Sequence, residues 1–151
     1  MDFFPEYLDA LSGESDSPPS GVSARDLQIA TTLLLVQLLR ADLQIHEEEV
    51  DALVRALEQV LGLDPVEAGD LMRIAVERVR SSDALPRATR LLDQYLTRAQ
   101  RIELVEWLWR IAYADAEILA HEEYLIRKVA GLLSLTTADL IEAKVRAKES
   151  L

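Results

Sequence analysis

The stretch ADLQIHEEE at residues 41–49 recurs 73 positions later as ADAEILAHE at residues 114–122. The Asp, the Ile and the final Glu keep the same spacing in both copies. Each copy lies where one apolar helical pattern ends and another begins, so each is predicted to be a turn between two helices. We call these two stretches the acidic elbows. Their repetition predicts that the chain consists of two related halves.

The similarity between the halves extends beyond the elbows. Leu38 aligns with Ile111 in the preceding helical pattern, and LGLDP at residues 61–65 aligns with LSLTT at residues 133–137, here 72 positions on. Each half reads as helix, elbow, helix, capped turn and helix. We therefore predict an all-α, internally duplicated bundle of about seven to eight helices with pseudo-two-fold packing.

Composition and capping signals support this fold class. Half of the 151 residues are apolar but only 5% are aromatic, and Gly and Pro number five each, which is typical of packed helices. Gly62 predicts the end of one helix, and Asp64 followed by Pro65 predicts the start of the next. The helices of the domain are predicted at about 23–41, 47–61, 65–80, 85–96, 98–114 and 122–133, followed by one more after the second capped turn.

Residues 1–22 are predicted to lie outside the main domain, which covers residues 23–151. Within residues 3–11, five apolar side chains recur at spacings of three and four, as on one face of a helix: Phe3, Phe4, Tyr7, Leu8 and Leu11. Residues 12–21 are rich in Gly, Pro and Ser. This part of the chain therefore predicts a short amphipathic helix and a flexible linker.

Charge and hydropathy exclude several classes of function. A formal net charge of −11 would repel a polyanion, so nucleic-acid binding is not expected. The acidic N-terminus lacks the basic start and apolar run of a secretory signal, which predicts a cytoplasmic protein. The longest apolar run, residues 29–39, is shorter than the roughly 20 residues that span a bilayer, so no transmembrane segment is predicted.

The acidic elbows resemble the latter half of a calcium-binding loop. If the Asp is placed at the fifth position of the pattern D-x-[DN]-x-[DN]-G-x5-E, the final Glu falls at position twelve in both copies. The candidate ligands are therefore Asp42, Glu49, Asp115 and Glu122. The first two ligand positions and the glycine of the loop are missing in both elbows. Three interpretations remain open: the elbows pool their carboxylates, water completes the shell, or no metal binds.

The histidines widen the choice of ion. His46 and His121 lie in the elbows at different positions of the repeat, which admits a mixed site for zinc or manganese as well as calcium. The alternative is structural, since acidic residues in the first turn of a helix are stabilised by the helix dipole by roughly 0.3 to 1 kcal/mol each. Asp42 and Asp115 are also natural helix caps. The sequence has no Gly-rich phosphate loop and suggests no Ser/His/Asp set, so a non-enzymatic protein is predicted.

Residues 101–115 and 117–130, RIELVEWLWRIAYAD and EILAHEEYLIRKVA, resemble the second half of TerB-like proteins, the tellurite-resistance TerB family. Residues 41–49 resemble the first A-D-G-x-I-x-x-x-E elbow of that family, and the likeness covers about residues 24–148. It implies an all-helical, duplicated, bacterial cytoplasmic protein of the stress response. It also implies divalent-metal ligation at the four candidate ligands, although Leu43 and Ala116 replace the family glycine.

Two functions follow as hypotheses. The first is a stress-response module of the tellurite-resistance type that binds a divalent cation (Ca, Mn or Zn) at the elbows. The second is an interaction or oligomerisation adaptor, with a protein partner or a second copy, in which the acidic residues are helix caps. Relatives attached to co-chaperone and membrane-associated modules imply peripheral association with a membrane protein complex. Because the chain has no Cys and two Met, direct thiol chemistry on tellurite is excluded.

Overall fold

The computed structural model describes residues 24–40, 47–113 and 120–150, with backbone only for residues 24, 39–40, 47–52 and 60. These ranges contain seven helices and no strand, which confirms the all-α prediction. The predicted N-terminal helix at residues 3–11 lies outside the described residues. The helices are α1 (Ala24–Arg40), α2 (Glu47–Leu61), α3 (Pro65–Arg78), α4 (Ala84–Tyr95), α5 (Arg98–Ala112), α6 (Ala120–Leu132) and α7 (Thr137–Glu149).

Helix α1 lies at the centre of the bundle. It packs most extensively on α3 and α4, and it also contacts α2, α5 and α6. Leu34 and Leu35 are completely buried although they are adjacent in the helix, so α1 is covered on more than one face. Its two buried threonines are satisfied locally, because Thr31 donates to the Leu27 carbonyl at 2.9 Å and Thr32 to that of Gln28 at 2.8 Å.

Helix α5 is the second central helix. It packs mainly on α7, and it also contacts α6, α2 and α1. Trp107 and Trp109 are both buried, as are Val105 and Leu108, so little of this helix faces solvent. Such side chains contribute roughly 1.5–3 kcal/mol each when fully buried. The two central helices therefore hold much of the core.

The two capped turns have the same backbone conformation. Gly62 and Ser134 occupy the left-handed region with φ of 65° and 61°. The N-caps that follow, Asp64 and Thr136, have φ/ψ of −81°/169° and −82°/168°. Each forms a complete capping box with the residue three positions on. The sequence match at these turns therefore reflects a local structural match.

Helix pairs that are equivalent in the sequence alignment also contact each other in similar ways. Helix α1 packs on α3 as α5 packs on α7, and the contact of α1 with α6 has a counterpart in that of α5 with α2. Duplication of the whole fold about a pseudo-two-fold axis stays a prediction.

Several helix ends differ from the predicted positions by one or two residues. Helix α3 ends at Arg78, since Val79 caps it and Ser81 then hydrogen-bonds back to the Arg78 carbonyl. Helix α6 begins at Ala120, two residues before the predicted start. Glu122 and Glu123 thereby fall within its first turn, where the helix dipole favours negative charge.

None of the helices within the described ranges is both long and apolar enough to cross a membrane.

Candidate functional site

Glu122 is the predicted ligand whose side chain the structure describes. Asp42 and Asp115 lie outside the described residues, and Glu49 is described by its backbone alone. The structure therefore does not test whether the four carboxylates meet. It does place Glu49 and Glu122 at the same helical position, the third residue of α2 and of α6. A carboxylate in the first turn of a helix is stabilised by the helix dipole, which suits a capping role.

The first turn of α6 presents its charged side chains in different environments. Glu122 is completely buried, while His121 is exposed. Glu123 forms ion pairs with Arg127 at 3.5 Å and with Lys144 of α7 at 3.6 Å, so it lies in a small ion-pair group at the surface. A fully buried Glu is rare in proteins. Of the described carboxylates in this turn, Glu122 is thus the one that points into the protein.

Lys144 connects this turn to the aromatic part of the core. Its ammonium group lies 5.0 Å from the centroid of the Trp109 ring, within the range of a cation–π contact. Trp109 is 1% exposed, and its ring lies 6.3 Å from that of Tyr113 at the end of α5. The end of α5, the start of α6 and the middle of α7 therefore form one connected region beside the second elbow.

The contact between α5 and α7 carries a charged cluster that the sequence analysis did not identify. Glu106 is buried and pairs with Arg110 one turn later in α5. The guanidinium of Arg110 also lies 4.5 Å from the centroid of the Trp107 ring. On α7, Glu142 pairs with Arg146, and the Arg146 charge acts on Glu106 across the helix contact.

Burial dominates the electrostatics of this cluster. Desolvation raises the pKa of Glu106 above its ordinary value, against the opposing charges of Arg110 and Arg146. Desolvation also raises the pKa of Glu103, and the neighbouring negative charge of Glu106 adds to this effect. The i,i+4 spacing of Glu106 and Arg110 was visible in the sequence, but the burial of Glu106 was not, because nearly every face of α5 is covered.

The charged cluster does not form a metal site. Among the residues that the structure describes, no group of three or more His, Asp or Glu side chains is arranged to hold a metal ion. The elbow residues 41–46 and 114–119 lie outside the described part of the chain, so the predicted site is not tested. The four predicted ligands stay a prediction.

Several arginines between residues 73 and 101 pair with acidic side chains. Arg98 donates twice to Asp139 of α7, and Arg101 donates to Asp93 of α4 at 2.8 Å. Arg101 is more than a surface residue, since its side chain is only 15% exposed and also donates to the Leu133 carbonyl at 2.6 Å. These bonds tie the start of α5 to α4, to the end of α6 and to the start of α7.

A groove of about 780 Å³ lies between α1, α4 and the end of α3. Buried or half-buried apolar residues line its floor, among them Ile29, Leu33 and Leu91. Exposed charged residues line its edges, among them Arg78, Arg87 and Arg90. We call this feature the α1–α4 groove.

The arrangement defines an all-α domain whose two central helices, α1 and α5, hold much of the core. The family model described as "Tellurite resistance protein TerB" matches residues 28–145, about three quarters of the chain. The chain belongs to the TerB family, as its sequence resemblance indicated. Comparison with curated proteins and with solved structures finds no match.

Proposed function

We propose that this chain is a non-enzymatic TerB-family module that binds a divalent cation at its acidic elbows, through Asp42, Glu49, Asp115 and Glu122. The observation that carries the proposal is the complete burial of Glu122 at the third residue of α6. An inward-facing carboxylate beside an acidic loop is a favourable first ligand for a hard cation. Its counterpart Glu49 has the same position in α2.

The ligand chemistry favours calcium or manganese over zinc. Four carboxylates supply oxygen ligands, and calcium takes six to eight such ligands, with backbone carbonyls and water completing the shell. His121 is exposed on the turn that buries Glu122, so zinc binding would require its ring to join the site. Carboxylate, carbonyl and water ligands suit calcium and manganese, and zinc would gain no nitrogen ligand from the exposed His121.

A sensing or scaffolding role agrees with the way charged side chains are paired in the residues that the structure describes. Two of the buried carboxylates pair with arginines, Glu106 with Arg110 and Asp139 with Arg98. The chain also lacks the cysteine that thiol chemistry on tellurite would use. We therefore propose that the chain takes part in a resistance or stress response by binding, and that it performs no chemistry on tellurite.

Calorimetric titration of the chelator-treated protein with calcium, manganese and zinc tests the cation proposal. We expect saturable heat, together with stabilisation against unfolding of about 2.7 kcal/mol at one hundred times Kd. The double variant Asp42→Asn with Asp115→Asn should abolish both signals. The matched control, Asp70→Asn with Glu149→Gln, removes two exposed charges outside the elbows and should retain them. Absence of heat and of stabilisation at millimolar ion would reject cation binding.

A second candidate function is self-association through the outer faces of α6 and α7. Ile141 and Val145 are 54% and 48% exposed and lie one turn apart on α7, while Tyr124 on α6 is 69% exposed. Sedimentation equilibrium should then show a dimer that Ile141→Lys with Val145→Lys dissociates. Val66→Lys, a change at an exposed valine of α3, is the control. A dimer insensitive to the α7 double variant, or a monomer throughout, would exclude this surface.

A further inference from the structure

Four charged residues form one row along the outer face of α3. Asp70, Arg73, Glu77 and Arg80 are all exposed, and their spacing of three, four and three residues places them on the same side of a helix. Arg80 continues the row because Val79, the residue before it, keeps a helical φ of −66° and ψ of −13°. We call these four residues the α3 stripe.

Within the part of the chain that the structure describes, no residue of the α3 stripe has an ion-pair partner. By contrast, Arg87, Arg98 and Arg101 of the next two helices each pair with an aspartate. The charges of the stripe can therefore meet a second molecule without breaking an ion pair inside their own chain.

The order of charges along the α3 stripe is complementary to itself. The signs are negative, positive, negative and positive at positions 70, 73, 77 and 80. A two-fold axis near residue 75 exchanges position 70 with 80 and position 73 with 77, so each charge meets the opposite charge of a second copy. A parallel copy in the same register would place like charges against each other, which is unfavourable. Charge therefore selects an antiparallel pair of α3 helices.

Apolar surface lies beside these charges. Gly69, Met72 and Val76 line an open depression of about 540 Å³ together with three residues of the α3 stripe. Val76 is 39% exposed, and Met72 is half-buried. Packed helices approach to about 8–10 Å between their axes, so a second α3 helix would cover these side chains. The apolar contact would favour association, and the ion pairs would fix its direction and register.

The size of this surface predicts a weak association. The α3 stripe spans ten residues, which is about 15 Å or three helical turns. One helix pair of this length buries less than the roughly 1,200–2,000 Å² of a stable interface. The ion pairs would also be near the surface, where salt screens them. We therefore expect a dimer that forms at high micromolar protein and weakens as salt is added.

We propose that the outer face of α3 binds a second copy of this chain in an antiparallel arrangement. Asp70 then lies against the partner's Arg80, and Arg73 lies against the partner's Glu77. This inference goes beyond cation binding, because no residue of the α3 stripe belongs to the acidic elbows. It also uses a different surface from that of α6 and α7, and Val66 lies outside the exchanged positions.

Two charge reversals test the pairing by sedimentation equilibrium at low salt. Asp70→Arg sets two arginines against each other at both ends of the contact, and Arg80→Asp does the same with two aspartates. Each variant alone should dissociate at least about tenfold more readily than the native protein. An equimolar mixture of the two variants should associate as the native protein does. In the mixed pair, the introduced arginine meets the introduced aspartate, and the native Arg80 meets the native Asp70.

Control variants separate this pairing from a general effect of charge. Glu149→Arg and Arg55→Asp cause the same changes in net charge at exposed positions of α7 and α2, and both should associate like the native protein. Ile141→Lys with Val145→Lys should also leave the association unchanged. Raising the salt from about 0.05 M to about 0.5 M should weaken the native association. Circular dichroism and thermal unfolding show whether each variant keeps its fold.

Several results would overturn the proposal. One is a native protein that stays monomeric at millimolar concentration. Others are native association in either charge-reversal variant alone, and a mixture that associates no better than its two components. Dissociation only by the Ile141 and Val145 changes would assign the second copy to α6 and α7, and would also overturn it.

Discussion

The buried carboxylates Asp139 and Glu106 each pair with an arginine, and Asp139 also lies in the first turn of a helix. Asp139 is 3% exposed, and the backbone N–H of Thr136 together with the Arg98 guanidinium holds its pKa below the ordinary value. Glu106 has Arg110 beside it, yet burial still raises its pKa. A buried carboxylate is thus stabilised as an anion at a helix start, as at Asp139, and destabilised as an anion between two packed helices, as at Glu106.

Replacing Glu103 by Gln should stabilise the protein near neutral pH. Because burial and the Glu106 charge raise its folded-state pKa, the folded chain holds this proton more tightly than the unfolded chain. The protonated Glu103 carboxyl therefore contributes its full stabilisation below the ordinary carboxyl pKa of about 4.3. This stabilisation is lost as the pH rises through the folded-state pKa. Urea unfolding at pH 7 should show a more stable variant, and the difference should vanish near pH 4.

The exposed Glu149→Gln variant is the control for the Glu103 prediction, because it removes one negative charge at the surface. A Glu103→Gln variant that is less stable than the native protein at pH 7 would show that the carboxylate makes a favourable contact that outweighs its desolvation.

At the level of the elements, the sequence determined most helix boundaries. Helix α2 begins and ends at the predicted residues, and α3 begins at Pro65 as Asp64 and Pro65 predicted, with a capping box between Asp64 and Glu67. These features are local, since a cap requires side chains within four residues of the backbone groups it satisfies. The start of α4 was less accurate because Asp83 occupies its N-cap without a side-chain cap bond.

Two glycines of this region should respond to alanine in opposite directions. Gly62 has a φ of 65°, where an added Cβ costs roughly 1–2 kcal/mol, so Gly62→Ala should destabilise the protein by about that amount. Gly69 lies inside α3, and a Cβ there would meet no atom within 4 Å. Gly69→Ala should therefore stabilise the protein by about 0.5–1 kcal/mol.

Thermal or urea unfolding measures both glycine effects. Gly62→Asn is the matched control at the turn, since Asn tolerates the left-handed region better than Ala and should cost less. Equal costs for Ala and Asn at residue 62 would mean that the backbone conformation is not the cause.

At the scale of the whole molecule, Arg101 joins elements that are distant in sequence. It binds Asp93 of α4 and the Leu133 carbonyl at the end of α6, and Ser134 donates to the same Asp93 at 3.2 Å. One guanidinium therefore fixes the turn between α6 and α7 against α4. The planar donor set of arginine suits this arrangement better than a lysine would.

Arg101→Met should cost about 1–3 kcal/mol in the free energy of unfolding, because it leaves a carbonyl and a carboxylate without their shared donor. Arg101→Lys should recover part of this loss. Arg127 pairs with Glu123 at 3.5 Å and is 65% exposed, so Arg127→Met is expected to cost under about 1 kcal/mol. Urea unfolding of the three variants gives the comparison, and a cost at residue 101 no larger than that at residue 127 would contradict it.

The sequence by itself determined the fold class, most helix ends, the capped turns and the family. It could do so because helical periodicity and capping depend on residues a few positions apart. Only the tertiary structure decided that Glu122 and Glu106 are buried, that Asp93 meets Arg101 and Ser134, and that α1 and α4 enclose a groove. These features depend on how helices that are distant in the chain pack together, and burial is a property of that packing.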